Sequence, residues 1–257
     1  MVAPAAEFPL AKPINGRFAF GLITYRPGDK QLTIALPGGS AAKIPIPFVA
    51  DGDALEHARV LVADFDFDGA PDLMVPVSTG YGGVNWFYTL HRFDPALRRF
   101  RPPEKDEFCN PEPRPGEKLL AVPCKSGPAW YDDAYKFDAA GRPYRYRTND
   151  LIALTGFEGD ESVAYLQRLL DPAGRGLKSS VLDAGESKPA IRRIPGARVY
   201  LHDAPEEKSR SAAYVVKGDS VELLDVADRD GRQWLQIAYR SARAGRLVKW
   251  IKLESDK

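Results

Sequence analysis

No run of about 18 apolar residues occurs anywhere in this sequence, so no membrane-spanning helix is expected. Charge of one sign is equally scarce, with 36 Lys and Arg against 35 Asp and Glu. A phosphate-backbone binder needs a basic excess on one face, so nucleic acid is not the expected partner. Histidine is limited to His57, His91 and His202, far apart in the chain, and no HExxH, G-x-S-x-G or phosphate-loop signature is present. Glu56 beside His57, and Asp132 beside Asp133, offer acid and base groups outside any recognisable constellation. The chain therefore reads as a binding protein and not as an enzyme.

Cysteine is nearly absent, with only Cys109 and Cys124. They bracket CNPEPRPGEKLLAVPC, a proline- and charge-rich stretch with little means of ordering itself. A disulfide there closes a loop of about 15 residues and contributes roughly 3 kcal/mol in the chain-entropy model. An even count around such a segment suits an oxidising compartment. Two unpaired core cysteines are the alternative, and no His or second Cys pair stands at zinc-ligand spacing. The opening MVAPAAEFPLAKP lacks both the charged start and the apolar centre of a secretory signal. Two readings of it stay open: a mature secreted chain preceded by Met, its signal removed, or a cytosolic protein with a loose N-terminus. The cysteines favour the first.

Gly and Pro number 22 each, and β-branched and aromatic residues come in short runs. That texture fits many short strands joined by turns, and the length is sufficient for two domains. FAFGLITY and QLTIAL flank the turn Arg26–Asp29, a hairpin signal. One pattern occurs three times, as HRFDPALRRF, YKFDAAGRPY and RLLDPAGRGL. In each, Asp94, Asp138 or Asp171 is expected to start a tight turn by bonding its own backbone, giving three hairpins of one twisted antiparallel sheet. ESVAYLQRLL also has the periodicity of a short helix, but the DPAG after it favours a strand. Residues 183–190, DAGESKPA, are small and polar and read as a linker. Beyond them come four or five short strands in the rhythm of a small closed barrel. The expected fold is thus mostly β: a twisted antiparallel, propeller-like calcium domain over 15–182, then an SH3-like barrel over 191–254.

The sharpest local signal is DFDFDGAPDL, with Asp64, Asp66 and Asp68 at alternate positions, then Gly69 and Asp72. Calcium takes six to eight hard oxygen ligands around a sharp turn. Here the three alternating carboxylates, the Ala70 carbonyl and Asp72 are the candidate ligands, and Gly69 permits the turn. Phe65 and Phe67 point away from the ligands and can pack beneath the loop. The pattern matches the first nine positions of an EF-hand loop, but Val75 stands where the bidentate Glu belongs. The flanks RVLVADF and LMVPV look like strands. Another oxygen or water must complete the shell. The competing reading is a solvated acidic turn.

The segment after it, VSTGYGGVNWFY, carries Gly80, Gly82 and Gly83 around Tyr81. Such glycine density permits close approach by another molecule, and exposed Tyr is a favoured interface anchor. Tyr81 either stands at the tip with few partners of its own or folds back on the sheet. Ser78, Thr79 and Asn85 are further hydrogen-bonding candidates.

The stretch VLVADFDFDGAPDLMVPVSTGYGGVNWFYTLHRFDPALRRF resembles periplasmic immunity proteins of bacteria that use antibacterial type IV secretion. Those proteins protect against lysozyme-like and other cell-wall hydrolase effectors. The family's calcium loop, glycine-rich segment and Asp-Pro hairpin map onto Asp64–Leu73, Ser78–Gly83 and Phe93–Phe100. Its fold is similar to that of periplasmic lysozyme inhibitors, which block a cleft with a protruding loop. The resemblance covers about residues 15–182, with its specific part in some 40 of them. It implies a periplasmic inhibitor, with Ser78, Thr79, Gly80, Tyr81, Gly82, Gly83 and Asn85 as the inhibitory loop facing a two-carboxylate cleft. The last part resembles a bacterial SH3 domain through Val199-Tyr200, Lys217-Gly218-Asp219, Trp234 and Trp250-Ile251, with Lys249 replacing a usual Gly. That likeness implies peptidoglycan or peptide as a second partner. The alternative to an inhibitor is then an envelope-binding module on a calcium-stabilised scaffold. For Trp234 and Trp250 themselves, core packing is the competing role.

Overall fold

The structure is a computed structural model that describes residues 5–48, 53–103, 107–184, 188–241 and 245–253. The protein is mostly β, in several antiparallel sheets. It divides into two compact units, Met1–Arg145 and Tyr146–Lys257.

In the first unit, β1 (Ala6–Pro9) precedes a four-stranded meander of β2 (Ile14–Phe18), β3 (Gly21–Tyr25), β4 (Gln31–Ala35) and β5 (Ala41–Pro45). The expected turn joins β3 to β4. The Asp29 N–H donates to the Arg26 carbonyl at 2.9 Å, and the Asp29 carboxylate accepts the Arg26 N–H at 2.9 Å. A five-residue helix, α1 (Asp53–His57), which the sequence pattern did not suggest, leads into β6 (Arg59–Ala63). Next come the nine-residue β7 (Asp72–Gly80) and β8 (Asn85–His91).

Among the described residues the short strands β9 (Phe93–Asp94) and β10 (Arg99–Phe100) pair only with each other, while β11 (Glu107–Cys109) joins β8. The second sheet therefore runs β1-β6-β7-β8-β11. It is buried on both faces. Val60, Val62, Leu73 and Val75 pack with Ile23, Leu32 and Ile34 of the meander. The alternate residues Leu61, Met74 and Leu90 pack with Phe108, Leu120 and Val122 on the other side. A strand covered twice needs apolar residues at every position, which is why RVLVA and LMVPV read as unbroken apolar runs. The loop joining β6 to β7 is thus mounted on a rigid base.

The segment between the cysteines is more ordered than its composition suggests. β12 (Glu112–Arg114) pairs with β13 (Leu119–Ser126), which pairs with β14 (Ala129–Phe137). Leu119, Leu120 and Ala121 are buried and supply the apolar anchor that the proline-rich half lacks.

The strand β15 (Pro143–Ala153) carries the chain from one unit into the other. The second unit holds β16 (Val163–Leu170) and β17 (Gly176–Asp183), so ESVAYLQRLL is a strand from Val163 onward, after a 3₁₀ turn that ends at Ser162. A six-stranded antiparallel sheet follows. Its strands are β18 (Ile191–Arg193), β19 (Arg198–His202), β20 (Arg210–Val216), β21 (Ser220–Arg229), β22 (Arg232–Ser241) and β23 (Gly245–Ile251), in the order β18-β21-β22-β23-β19-β20.

The break between units falls at 145/146 and not at the expected 183–190. Ala164, Leu166 and Val181 belong to the same core as Val221, Leu235 and Ile251, so β16 and β17 fold with the C-terminal strands. The expected linker is pinned as well. The Asp183 N–H donates to the Lys188 carbonyl at 3.0 Å, and Ala190 is fully buried. Residues 185–187 of that stretch, and residue 254 at the expected end of the barrel domain, lie outside the described residues.

The three repeated aspartates do cap turns. Asp138 Oδ1 accepts the Ala140 and Arg142 N–H groups at 2.9 Å, and Asp171 Oδ1 accepts those of Ala173 and Arg175 at 2.9 Å. Asp94 Oδ1 accepts the Leu97 N–H at 3.0 Å. Hydrogen bonding from these backbone groups holds all three carboxyls below the usual range. They are not hairpins of one sheet, because the Asp94 turn closes the separate β9-β10 ribbon.

Candidate metal centre

The connection between β6 and β7 runs from Asp64 to Pro71 and is closed by the pairing of Ala63 with Asp72. Its aspartates organise the loop by accepting its own N–H groups. Asp64 accepts from Asp68 at 3.1 Å and from Gly69 at 3.0 Å. Asp66 accepts from Asp68 at 3.2 Å, and Asp68 from Ala70 at 2.8 Å. Gly69 sits at φ 93, a left-handed conformation that glycine adopts without a Cβ penalty. Phe65 is fully buried in the core beneath the loop, and Phe67 meets Phe137 edge to face at 6.4 Å.

Asp72 is the floor of the site. It has no exposed surface, and its two oxygens accept the N–H groups of Phe65 at 3.1 Å and Phe93 at 2.9 Å. Asp64, Asp66 and Asp72 each turn one carboxylate oxygen into a common space, these oxygens lying within 4.8 Å of one another. This triad can hold a metal ion. Asp68 is exposed and stands outside it, its Oδ1 taken by the Ala70 N–H. Ala70 is buried beside it.

The electrostatics follow from crowding. Burial, followed by the charge of Asp66, pushes the Asp72 carboxyl up to about 8 against two opposing backbone hydrogen bonds. Burial and then Asp68 push Asp66 up to about 6, although Arg92 lies 3.6 Å away. Burial also raises Asp64. Three carboxylates this close ionise together only when a cation compensates them. The donor set is all oxygen, with neither nitrogen nor sulfur. It fits a hard divalent ion such as calcium, magnesium or manganese and is poor for zinc or copper.

The glycine-rich segment lies at the opposite end of β7. Ser78, Thr79 and Gly80 finish the strand, a 3₁₀ turn spans Tyr81–Gly83, and Asn85 opens β8. Tyr81 is 49% exposed, so its ring is accessible, but it does not stand free. Its hydroxyl donates to the Gly127 carbonyl at 2.5 Å, and Lys125 Nζ lies 5.4 Å from its ring centre. Asn85 is buried. Its amide donates to the Lys125 carbonyl at 2.8 Å and accepts the Lys125 N–H at 2.9 Å. It is therefore a bracket between strands and is not free to reach a partner. Gly82 and Gly83 have positive φ and open space around them.

Three further residues fix this end of the unit. Cys109 and Cys124 form the expected disulfide, with Cα atoms 5.7 Å apart. Asn110, which sequence reasoning passed over, bonds the Trp86 N–H at 2.9 Å and the Pro123 carbonyl at 2.9 Å. Its signal was faint: Asn before Pro, a residue type that tolerates the left-handed φ of 43 found here.

Several other candidates have structural places. Asp132 and Asp133 face Arg114 at 3.7 Å and Arg145 at 3.1 Å. His91 is buried, which pushes its imidazole down to about 4. Trp234 is 2% exposed and packs edge-on against His202 at 4.8 Å, so it is a core residue. The Lys217-Gly218-Asp219 turn forms, with the Asp219 carboxylate accepting the Val216 N–H at 2.9 Å. No helix among the described residues is long and apolar enough to cross a membrane. Compared with known proteins, the chain matches no family model, no curated protein and no solved structure.

Proposed function

We propose that this is a calcium-stabilised periplasmic immunity protein that acts by binding and not by catalysis, inhibiting a secreted, lysozyme-like cell-wall hydrolase. The observation that carries this reading is that the metal triad and the Tyr81 turn are the two ends of one strand. Asp72 begins β7 and Gly80 ends it. An ion held by Asp64, Asp66 and Asp72 fixes the start of the strand that projects the turn, so the ion's role is structural.

Calcium, which takes six to eight oxygen ligands in an adaptable geometry, is the ion that suits this all-oxygen loop. The Ala70 carbonyl and water would complete the shell, with Asp68 joining only if its side chain turned in from the surface. At the far end, the disulfide, Asn85, Asn110 and the Tyr81 hydroxyl hold the turn. Binding by a preformed turn loses little conformational entropy, which suits an inhibitory element. Tyr81 offers a half-exposed ring, and Thr79 an exposed residue bearing a hydroxyl, to a cleft lined by carboxylates.

The test is inhibition of purified lysozyme-like muramidases in a peptidoglycan-clearing assay. Tyr81→Ala is expected to lose inhibition while its calcium-dependent melting survives. Undiminished inhibition by Tyr81→Ala would remove the turn from the interface.

A further inference from the structure

In the second unit, arginine and tyrosine side chains interleave over a cavity. Tyr200 on β19 pairs across the ladder with Tyr214 on β20, and their rings meet edge to face at 6.1 Å. The Arg210 guanidinium lies 3.5 Å from the centre of the Tyr200 ring, and that of Arg198 lies 4.4 Å from the centre of Tyr214. A guanidinium over an aromatic face is positioned by the ring while its N–H donors stay available at its edge.

The cavity beside this cluster has a volume of about 410 Å³ and is lined by Arg198, Tyr200, His202, Glu207, Arg210 and Lys252, with apolar residues between them. Glu207 is the acidic residue of that lining. It already accepts Arg232 at 3.1 Å and is paired with Lys252. Arg198 and Arg210 border the cavity with no acidic partner among the described residues, and the aromatic faces below them carry no countercharge. Hydrogen bonding from Arg198, and then from Arg210, holds the Tyr200 phenol below its ordinary range, as expected for a group in a positive field.

We propose that this cavity binds a small ligand bearing an oxyanion, a carboxylate or a phosphate, clamped between Arg198 and Arg210 with the two tyrosines as their supports. Arginine suits both anions because its planar fork of donors matches two oxygens at once. The volume accommodates a body larger than the anion alone, so the oxyanion is the anchor of a ligand of modest size. The site is independent of the metal centre and of the Tyr81 turn, and it requires neither.

The experiment is calorimetric titration of the full chain at low ionic strength with inorganic phosphate, with N-acetyl-alanine and with the uncharged N-acetyl-alaninamide. At least one anion is expected to bind saturably and to weaken as salt is raised. Arg198→Gln and Arg210→Gln are each expected to lose about tenfold or more in affinity, while Arg240→Gln, an exposed change on β22, binds as the parent does. Unchanged melting of the two arginine variants shows that the fold is intact. Binding of phosphate, or of N-acetyl-alanine, identifies which oxyanion source the site takes. The proposal fails if neither anion binds, if the arginine variants bind as tightly as the parent, or if the alaninamide binds as well as the acid.

Discussion

Asp72 accepts the backbone N–H of Phe93 at 2.9 Å across 21 residues of sequence. With its other oxygen on the Phe65 N–H, one buried carboxyl both ties the loop to the strand beyond β8 and faces the metal site. Asp72→Asn presents an amide nitrogen to one of those N–H groups and leaves it unsatisfied. The expected cost is about 1–3 kcal/mol in urea unfolding, together with loss of any stabilisation by calcium. Undiminished stability and calcium response would contradict both roles.

The raised carboxyls make the metal-free protein pH-sensitive. A folded-state value of about 8 for Asp72 means that the native state holds a proton the unfolded chain has already released. That stability is complete below the unfolded value and is lost as pH rises through about 8. His91, pushed down to about 4, acts in the opposite sense, but only up to its ordinary 6.5. Between pH 6.5 and 8 in chelator, unfolding free energy is therefore expected to fall by up to about 1.4 kcal/mol per pH unit. Excess calcium, which replaces the proton, is expected to flatten the slope, and Asp72→Asn to abolish it. Chemical denaturation at half-unit pH steps reads this directly.

Local chemistry was legible in the sequence. The Arg26–Asp29 turn, the three aspartate-capped turns and the acidic loop are set by residues only a few positions apart, so their side chains and backbone groups meet whatever the rest of the chain does. What the pattern did not carry was long-range. Asp68 looks like an equal partner to Asp64 and Asp66, yet the third carboxylate of the shared space is the buried Asp72, fixed by the N–H groups of Phe65 and Phe93. Tyr81 looks like a free tip because Gly127, its acceptor, is 46 residues away. The polar stretch 183–190 resembles a linker, but Arg192 draws Asp183 in at 2.5 Å. The unit boundary moved because an apolar strand does not announce which core it joins.

Asn85 and Lys125 form a two-bond ring between β8 and β13, so Asn85→Ala strands the half-buried N–H and carbonyl of Lys125. A loss of roughly 1–3 kcal/mol is expected, with the calcium response intact because the metal site lies at the other end of β7. Melting with and without calcium separates the two effects. A variant that loses its calcium response would show that the two ends of the strand are not independent.

Reduction of Cys109–Cys124, or its replacement by Ser at both positions, is expected to cost about 3 kcal/mol for a loop of 15 residues. Amide exchange should quicken first in β11, β12 and the Tyr81 turn, which the bridge and Asn110 hold together. Uniform acceleration over the whole unit would mean that the bridge acts on global stability alone.

Thermal melting in excess chelator and then in excess calcium tests the metal centre most directly. At about 100 times its dissociation constant an ion bound only by the native state stabilises by roughly 2.7 kcal/mol. The melting temperature is expected to rise by several degrees with calcium, less with magnesium, and not at all in Asp66→Ala. An unchanged melting temperature in the parent protein would reduce the loop to an acidic turn and remove the foundation of the proposed function.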